Sequence, residues 1–295
     1  MSSLLEPEIL LSIRNLPLAA KTTVDGFMAG INSSRIKGPG LEFSQYRSYQ
    51  PGDDLRWLDW KMYARSDRYY IRESEIETSI SIRFLLDASA SMEHTDNNGI
   101  SKIAYARYLA ASLGYLARSQ GDAVGLHIMQ DGSVFSLPAR NDHQHLNRFY
   151  FQLEQVKPSG VFARDAGMEL LAGVGKRDLL IFITDLYQQE SEILALLDTL
   201  NAQRHEIILF HLAARNELEF DYEGYGSLQD LETGEMISIS NTNDRNAYIE
   251  RLQAHMDTMR TAMLKRNITY RLLATDEPLQ KALRDFLKQR KRNVS

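Results

Sequence analysis

Two short, almost wholly apolar runs, each ending in an aspartate, constrain this chain more than any other feature. Residues 80–86 (Ile-Ser-Ile-Arg-Phe-Leu-Leu) stop at Asp87, and residues 178–184 (Asp-Leu-Leu-Ile-Phe-Ile-Thr) stop at Asp185. Runs this apolar and this short read as strands buried on both faces. Between them, Ile103, Ala106, Leu109, Ala110, Leu113 and Leu116 share one face of a helix predicted over 101–119, which Gly121 ends. Further strands are predicted at 124–129, 206–212 and 268–273. Asp131-Gly132 makes a tight turn into an antiparallel return at 134–137. Helices are predicted at 143–153, 165–171, 190–203, 245–264 and 277–288, and a hairpin with arms 228–231 and 236–239. Strands alternating with long helices require an α/β fold, a mostly parallel sheet with helices on both faces.

The 295 residues leave room for a second unit at roughly 150 residues per domain. Leu4, Leu5, Ile9, Ile13 and Leu16 recur at helical spacing, so an N-terminal helix is expected over about 4–31, interrupted at Pro17. Residues 35–79 differ in composition. Both tryptophans, Trp57 and Trp60, lie there beside Tyr46, Tyr49, Tyr63, Tyr69 and Tyr70. Gly38-Pro39-Gly40 and Pro51-Gly52 are turns. The expected organisation is therefore 1–78, an N-terminal helix with a small β-rich appendage, and 79–295, the α/β domain.

Composition excludes several functions. There is no cysteine, hence no disulfide, thiolate zinc site or cysteine nucleophile. The net charge of −5 gives no overall attraction for nucleic acid. Apolar runs never reach the 18 residues a membrane helix needs. The first residues carry Glu6 and Glu8 instead of a basic leader. The expected location is cytoplasmic, with no membrane span and no nucleic-acid partner.

Ligands of open parallel sheets gather beyond the carboxyl ends of the strands, where Asp87 and Asp185 stand. On neighbouring strands, two such carboxylates at about 5 Å and an effective dielectric of about 20 would repel by roughly 3 kcal/mol. They need a shared proton or a cation. Asp87-Ala88-Ser89-Ala90-Ser91 places a carboxylate and two hydroxyls at alternate positions, with small alanines between. Hard oxygens of this kind suit Mg²⁺ or Mn²⁺, so Asp87, Ser89, Ser91 and Asp185 are the candidate metal ligands. The alternative is that these side chains only cap a helix or close a turn.

Asp87-x-Ser89-x-Ser91 after one strand and Thr184-Asp185 after another resemble the metal-ion-dependent adhesion site of von Willebrand factor A-like domains. Upstream, Gly40-x-Glu42-Phe43, Arg47-x-Tyr49-x-Pro51-Gly52-Asp53-Asp54-x-Arg56-x-x-Asp59-Trp60-Lys61 and Ala64-Arg65 look like the signature of the domain-of-unknown-function 58 family. Glu232-Thr233-Gly234-Glu235 also fits it. The similarity covers about residues 35–290. It implies a von Willebrand A-like core with an added β-rich segment, and no catalysis. It also implies a protein-interaction role beside a MoxR-type AAA+ ATPase, or that ATPase's client, in assembling or remodelling other proteins. One departure stands out. The loop that usually donates a threonine to the adhesion site reads Pro158-Ser159-Gly160-Val161-Phe162-Ala163-Arg164-Asp165. Ser159 and Asp165 are the candidate substitutes, and Arg164 adds positive charge.

Two rival readings remain open at this stage. A metal-dependent phosphoester hydrolase would use the strand-end carboxylates to activate water, but an aspartate-nucleophile enzyme needs an acid where Ser89 stands. A metal-free scaffold would retain the shape alone. The mixed charges from Arg47 to Arg68 are expected to pair internally while the tryptophans pack the appendage onto the core, with a protein-docking surface as the alternative. The basic run Lys288–Arg292 is expected to be a solvated end.

Overall fold

The computed structural model describes residues 7, 12–13, 15–34, 45–51, 55, 58–73, 79–130, 132–162, 178–222, 227–232, 234–238 and 242–294. They form two compact units, Met28–Thr78 and the remainder. The helix predicted at 165–171 lies outside the described residues.

In the larger unit six strands form one sheet: β3 (Ser81–Asp87), β4 (Ala123–Gln130), β5 (Ser133–Arg140), β6 (Leu179–Thr184), β7 (Glu206–Ala213) and β10 (Thr269–Ala274). Their order is β10-β7-β6-β3-β4-β5. Every pairing is parallel except β4 with β5. The α/β expectation is met, and β3 sits centrally between β6 and β4. Central strands are buried on both faces, which is why β6 carries no polar residue before Thr184.

Helices cover both faces. On one, α5 (Glu190–Ala202) and α7 (Thr242–Lys265) set Ile193, Leu196, Leu197, Leu200, Met259 and Met263 against Leu85, Leu180, Phe182 and Leu209. On the other, Phe84 meets Phe149 of α4 (His143–Gln155) edge-on at 5.3 Å. Helix α3 (Lys102–Ser119) lies beside α4, with α8 (Gln280–Val294) against it. Ser101 caps α3 by accepting from the Ala104 amide at 3.3 Å.

The N-terminal helix, α1 (Leu16–Ser34), corrects the expected boundary. Its first turns, to Phe27, belong with the larger unit. Ala19, Ala20, Val24 and Phe27 are buried, and Thr23 pairs its hydroxyl with that of Tyr108 on α3. Pro17 stands at the second position of α1, where a missing amide hydrogen costs nothing, so this helix begins there; most of the expected helix before it lies outside the described residues. At the other terminus, α8 runs through the basic segment. Arg290 is not solvated: its guanidinium forks onto Asp122, which is fully buried, at 2.5 and 3.0 Å.

The smaller unit pairs β1 (Gln45–Ser48) antiparallel to β2 (Tyr70–Glu73) around helix α2 (Trp60–Ser66). The expected β-rich appendage thus includes a helix. Asp59 caps that helix through the Lys61 and Met62 amides at 2.9 and 3.0 Å. Tyr63 stacks on Tyr69 with centroids 4.5 Å apart. Trp60 is 64% exposed instead of buried, and Trp57 lies outside the described residues.

Gly125 marks a close approach of β5 to β4, where the pairing register shifts. A Cβ there would meet the Ala139 amide nitrogen at 2.9 Å and the Leu137 carbonyl oxygen at 3.1 Å. Backbone cannot step aside as a flexible side chain can. Gly125→Ala is expected to destabilise the fold by about 1–3 kcal/mol despite the better strand propensity of alanine, read as a lower urea midpoint at unchanged slope.

Candidate metal site

The parallel register sets Leu86 beside Ile183, so Asp87 and Thr184 end their strands as neighbours. Asp87 is fully buried. Its Oδ2 accepts from the Thr184 hydroxyl at 2.7 Å and from Gln188 Nε2 at 2.9 Å, and its Oδ1 from the Ser89 amide at 3.0 Å. The chain then turns through a short 3-10 segment, Ala90–Glu93. That turn brings the Ser89 and Ser91 hydroxyls within 3.1 Å of each other, both buried. The alanines of the motif have a second use. Ala88 and Ala90 exchange backbone hydrogen bonds with the 159–160 loop, Ser159 N to the Ala88 carbonyl and Ala90 N to the Gly160 carbonyl, each at 3.0 Å.

Asp185 has a partner the sequence reading did not name. Lys102 Nζ donates to its Oδ2 at 2.7 Å and to Glu217 Oε1 at 2.9 Å. The Lys102 side chain is 1% exposed. Burial alone would lower its pKa, yet the two carboxylates override that and raise it, so the ammonium stays charged. The Tyr187 ring sits 5.4 Å from the same ammonium. Glu217 is itself fixed at the start of α6 (Arg215–Glu219), accepting from the Ala214 amide at 2.7 Å. A sequence signal for Lys102 existed. It precedes Ala106, Leu109, Leu113 and Leu116 on the apolar stripe, in the first turn of a helix, where the dipole disfavours a cation.

Three of the four expected ligands, Asp87, Ser89 and Ser91, lie together, and Asp185 is close enough for its charge to act on Asp87. Among the described residues no three His, Asp or Glu side chains group as a metal cage. The oxygens available are one carboxylate and two hydroxyls, joined by Glu232, whose carboxylate lies beside both serines. The Oε1 atoms of Glu232 and Gln188 are buried without a hydrogen-bond donor. Acceptors left in this state are what a hard cation satisfies, so the donor set fits Mg²⁺ or Mn²⁺ at Asp87, Ser89 and Ser91. Of the threonine substitutes, the Ser159 hydroxyl accepts from Gln130 Nε2 at 2.7 Å. Asp165 and Arg164 lie outside the described residues.

A cavity of about 470 Å³ opens beside Lys102 and Asp185, lined also by Tyr187, His211, Tyr248 and Arg251. Burial lowers the His211 pKa to about 4, so this imidazole is neutral at pH 7, with Nδ1 2.7 Å from the Tyr270 hydroxyl.

Two predictions follow from these charges. Burial first, then the charge of Asp185, push the Asp87 pKa from 3.8 up to about 6, against the pull of Thr184 and Ser89. The native state therefore holds this proton more tightly than the unfolded chain does. Without divalent cation, the group's contribution is greatest below pH 3.8 and is lost as pH rises to about 6, on the order of 3 kcal/mol. Urea unfolding with chelator across this range should show that loss in wild type and not in Asp87→Asn. Lys102→Met strands two carboxylates and should cost about 3–5 kcal/mol in the same assay.

Residues 45–258 match the family described as "Protein of unknown function DUF58". Uncharacterized proteins of Mycobacterium tuberculosis and Mycobacterium bovis are each 28% identical over 236 residues, spanning 78% of this chain and 73% of theirs. Among solved structures, the chain is similar to the conserved hypothetical protein BatB of Bacteroides thetaiotaomicron (TM-score 0.49, 17% identity, 72% of this chain and 100% of that one). An aerotolerance-related membrane protein of Bacteroides fragilis (0.47, 18%, 72% and 100%) and the VWA domain of SpRpn10 (0.40, 11%, 72% and 95%) are also similar. These likenesses correct the expected cytoplasmic location. Among the described residues no helix is long and apolar enough to cross a membrane, and one of the similar structures is described as a membrane protein. Lack of a spanning helix therefore does not place the chain in the cytoplasm. The family match spans most of the chain, and the six-stranded, mostly parallel sheet is the α/β fold expected from the sequence: this chain belongs to the DUF58 family.

Proposed function

We propose that this chain is a non-catalytic protein-interaction module that docks partners at the carboxyl end of β3 through a divalent cation. The observation that carries this reading is the pair of buried hydroxyls, Ser89 and Ser91, 3.1 Å apart beside a fully buried Asp87. Nothing about folding requires that two serines and an aspartate be sequestered together at a strand end, where apolar side chains would be less costly. Bound Mg²⁺ or Mn²⁺ supplies a positive centre able to hold an acidic side chain of a partner. Asp87 gives that centre its charge and Ser89 and Ser91 give it neutral oxygens. Asp185, already neutralised by Lys102 at 2.7 Å, sets the field around it. The partner proposed, from the sequence resemblance alone, is a MoxR-type AAA+ ATPase or its client.

Hydrolysis is the weaker reading, because a water-activating base is needed and both strand-end carboxylates are already engaged. Asp87 receives three donors and Asp185 is held by Lys102. One observation does favour a metal-free scaffold: the Lys102 ammonium is itself a permanent buried cation at this strand end.

A single titration separates the two. Calorimetry with Mg²⁺ and with Mn²⁺ should show one site in wild type, and Ser89→Ala should bind at least about tenfold more weakly. No heat in wild type would sink the cation and leave the scaffold. A purified MoxR-type ATPase from the same organism should be retained by the wild-type chain and released by chelator.

A further inference from the structure

The hairpin of β8 (Ser227–Gln229) and β9 (Met236–Ser238) carries a third acidic side chain to the two serines. Its turn is tied firmly. The Asp230 carboxylate accepts from the Glu232 amide at 2.8 Å, and the Asp230 backbone bonds to Glu235 and Gly234 at 2.8 Å each. Gly234 has φ +77, a conformation that favours glycine. This turn brings the Glu232 carboxylate near enough to the Ser91 and Ser89 hydroxyls, and to the Asp185 charge, for each to act on it. There its Oε1 is buried and accepts no hydrogen bond among the described residues. A second oxygen points to the same need. Gln188 is 8% exposed. Its Nε2 is anchored on Asp87, which leaves its own Oε1 buried and without a donor. Lys102 offsets Asp185 and Glu217, so one more carboxylate brought beside Asp87 and the serines is repulsive unless a further cation or a proton lies there.

We propose that Glu232 is a ligand of the cation held by Asp87, Ser89 and Ser91, and that it fills, from within the chain, the position a partner's acidic side chain takes. The inference rests on the cation reading of that site. Glu232 supplies an oxygen where the 158–165 loop offers no threonine. Because it arrives on a surface hairpin and not on the sheet, it is the ligand able to leave. A partner then binds by exchanging one carboxylate for another, with no change of charge at the cation, and the hairpin is the part that moves.

The test uses Mn²⁺ titration of the full chain followed by calorimetry, for wild type, Glu232→Gln, Glu232→Ala and Ser89→Ala. Glu232→Gln and Glu232→Ala are expected to weaken Mn²⁺ binding by about tenfold. Added acetate should restore affinity in Glu232→Ala, where it enters the vacated position, and leave wild type unchanged. Glu232→Ala that binds Mn²⁺ as wild type does, or weakened binding that acetate leaves unrestored, would overturn the ligand role while the cation reading stands. Wild type that binds no Mn²⁺ overturns both. Ser89→Ala, weakened and indifferent to acetate, shows that rescue is specific to the missing carboxylate.

Discussion

A buried lysine makes this sheet end tolerable. Asp87 and Asp185 terminate adjacent parallel strands, both buried, and the charge of Asp185 raises the cost of ionising Asp87. Lys102 relieves half of the problem by seating its ammonium between Asp185 and Glu217 at 2.7 and 2.9 Å. Three donors relieve the other half by converging on Asp87. An ion pair this dry contributes little net stability compared with apolar packing, but removal of one member is severe. The geometry of α3, α6, β3 and β6 is thereby tied to one charge balance.

That balance also shapes what the site can do. Asp185 is satisfied by Lys102, so on the reading proposed above a cation would find its anionic charge at Asp87 and Glu232 and its neutral oxygens at Ser89 and Ser91. A site with few charged ligands binds divalent ions weakly and exchanges them readily. Weak, exchangeable coordination suits reversible docking better than hydrolysis, which needs a base kept free to take a proton. The neighbouring cavity, with Tyr187, Tyr248 and Arg251 on its walls, adds the aromatic and guanidinium side chains that commonly anchor protein contacts.

Much of the architecture was legible from periodicity. The strand ends at Asp87 and Asp185, the α3 stripe and the hairpin arms fall where alternating and 3.6-residue patterns place them. Errors came where an element's neighbours decide its fate. The N-terminal helix was assigned to the appendage because its sequence says nothing about Tyr108, eighty-five positions away from Thr23. The basic C-terminal run read as solvated because Asp122, buried at the far end of α3, cannot be paired with Arg290 from spacing alone. Location was inferred from the lack of an apolar span, an absence that says nothing about where a chain resides.

The candidate site divides in the same way. Local sequence by itself determined the Asp87-x-Ser89-x-Ser91 turn, since three oxygens at alternate positions of one short segment are set by backbone geometry and small intervening alanines. It also determined that a second acid ends another buried strand. Only the tertiary structure decided which cation neutralises Asp185, and that Glu232, on a hairpin far along the chain, comes to rest on the serines. Charges in a low-dielectric interior choose partners by distance in space, and that distance is a property of the folded sheet rather than of any stretch of sequence.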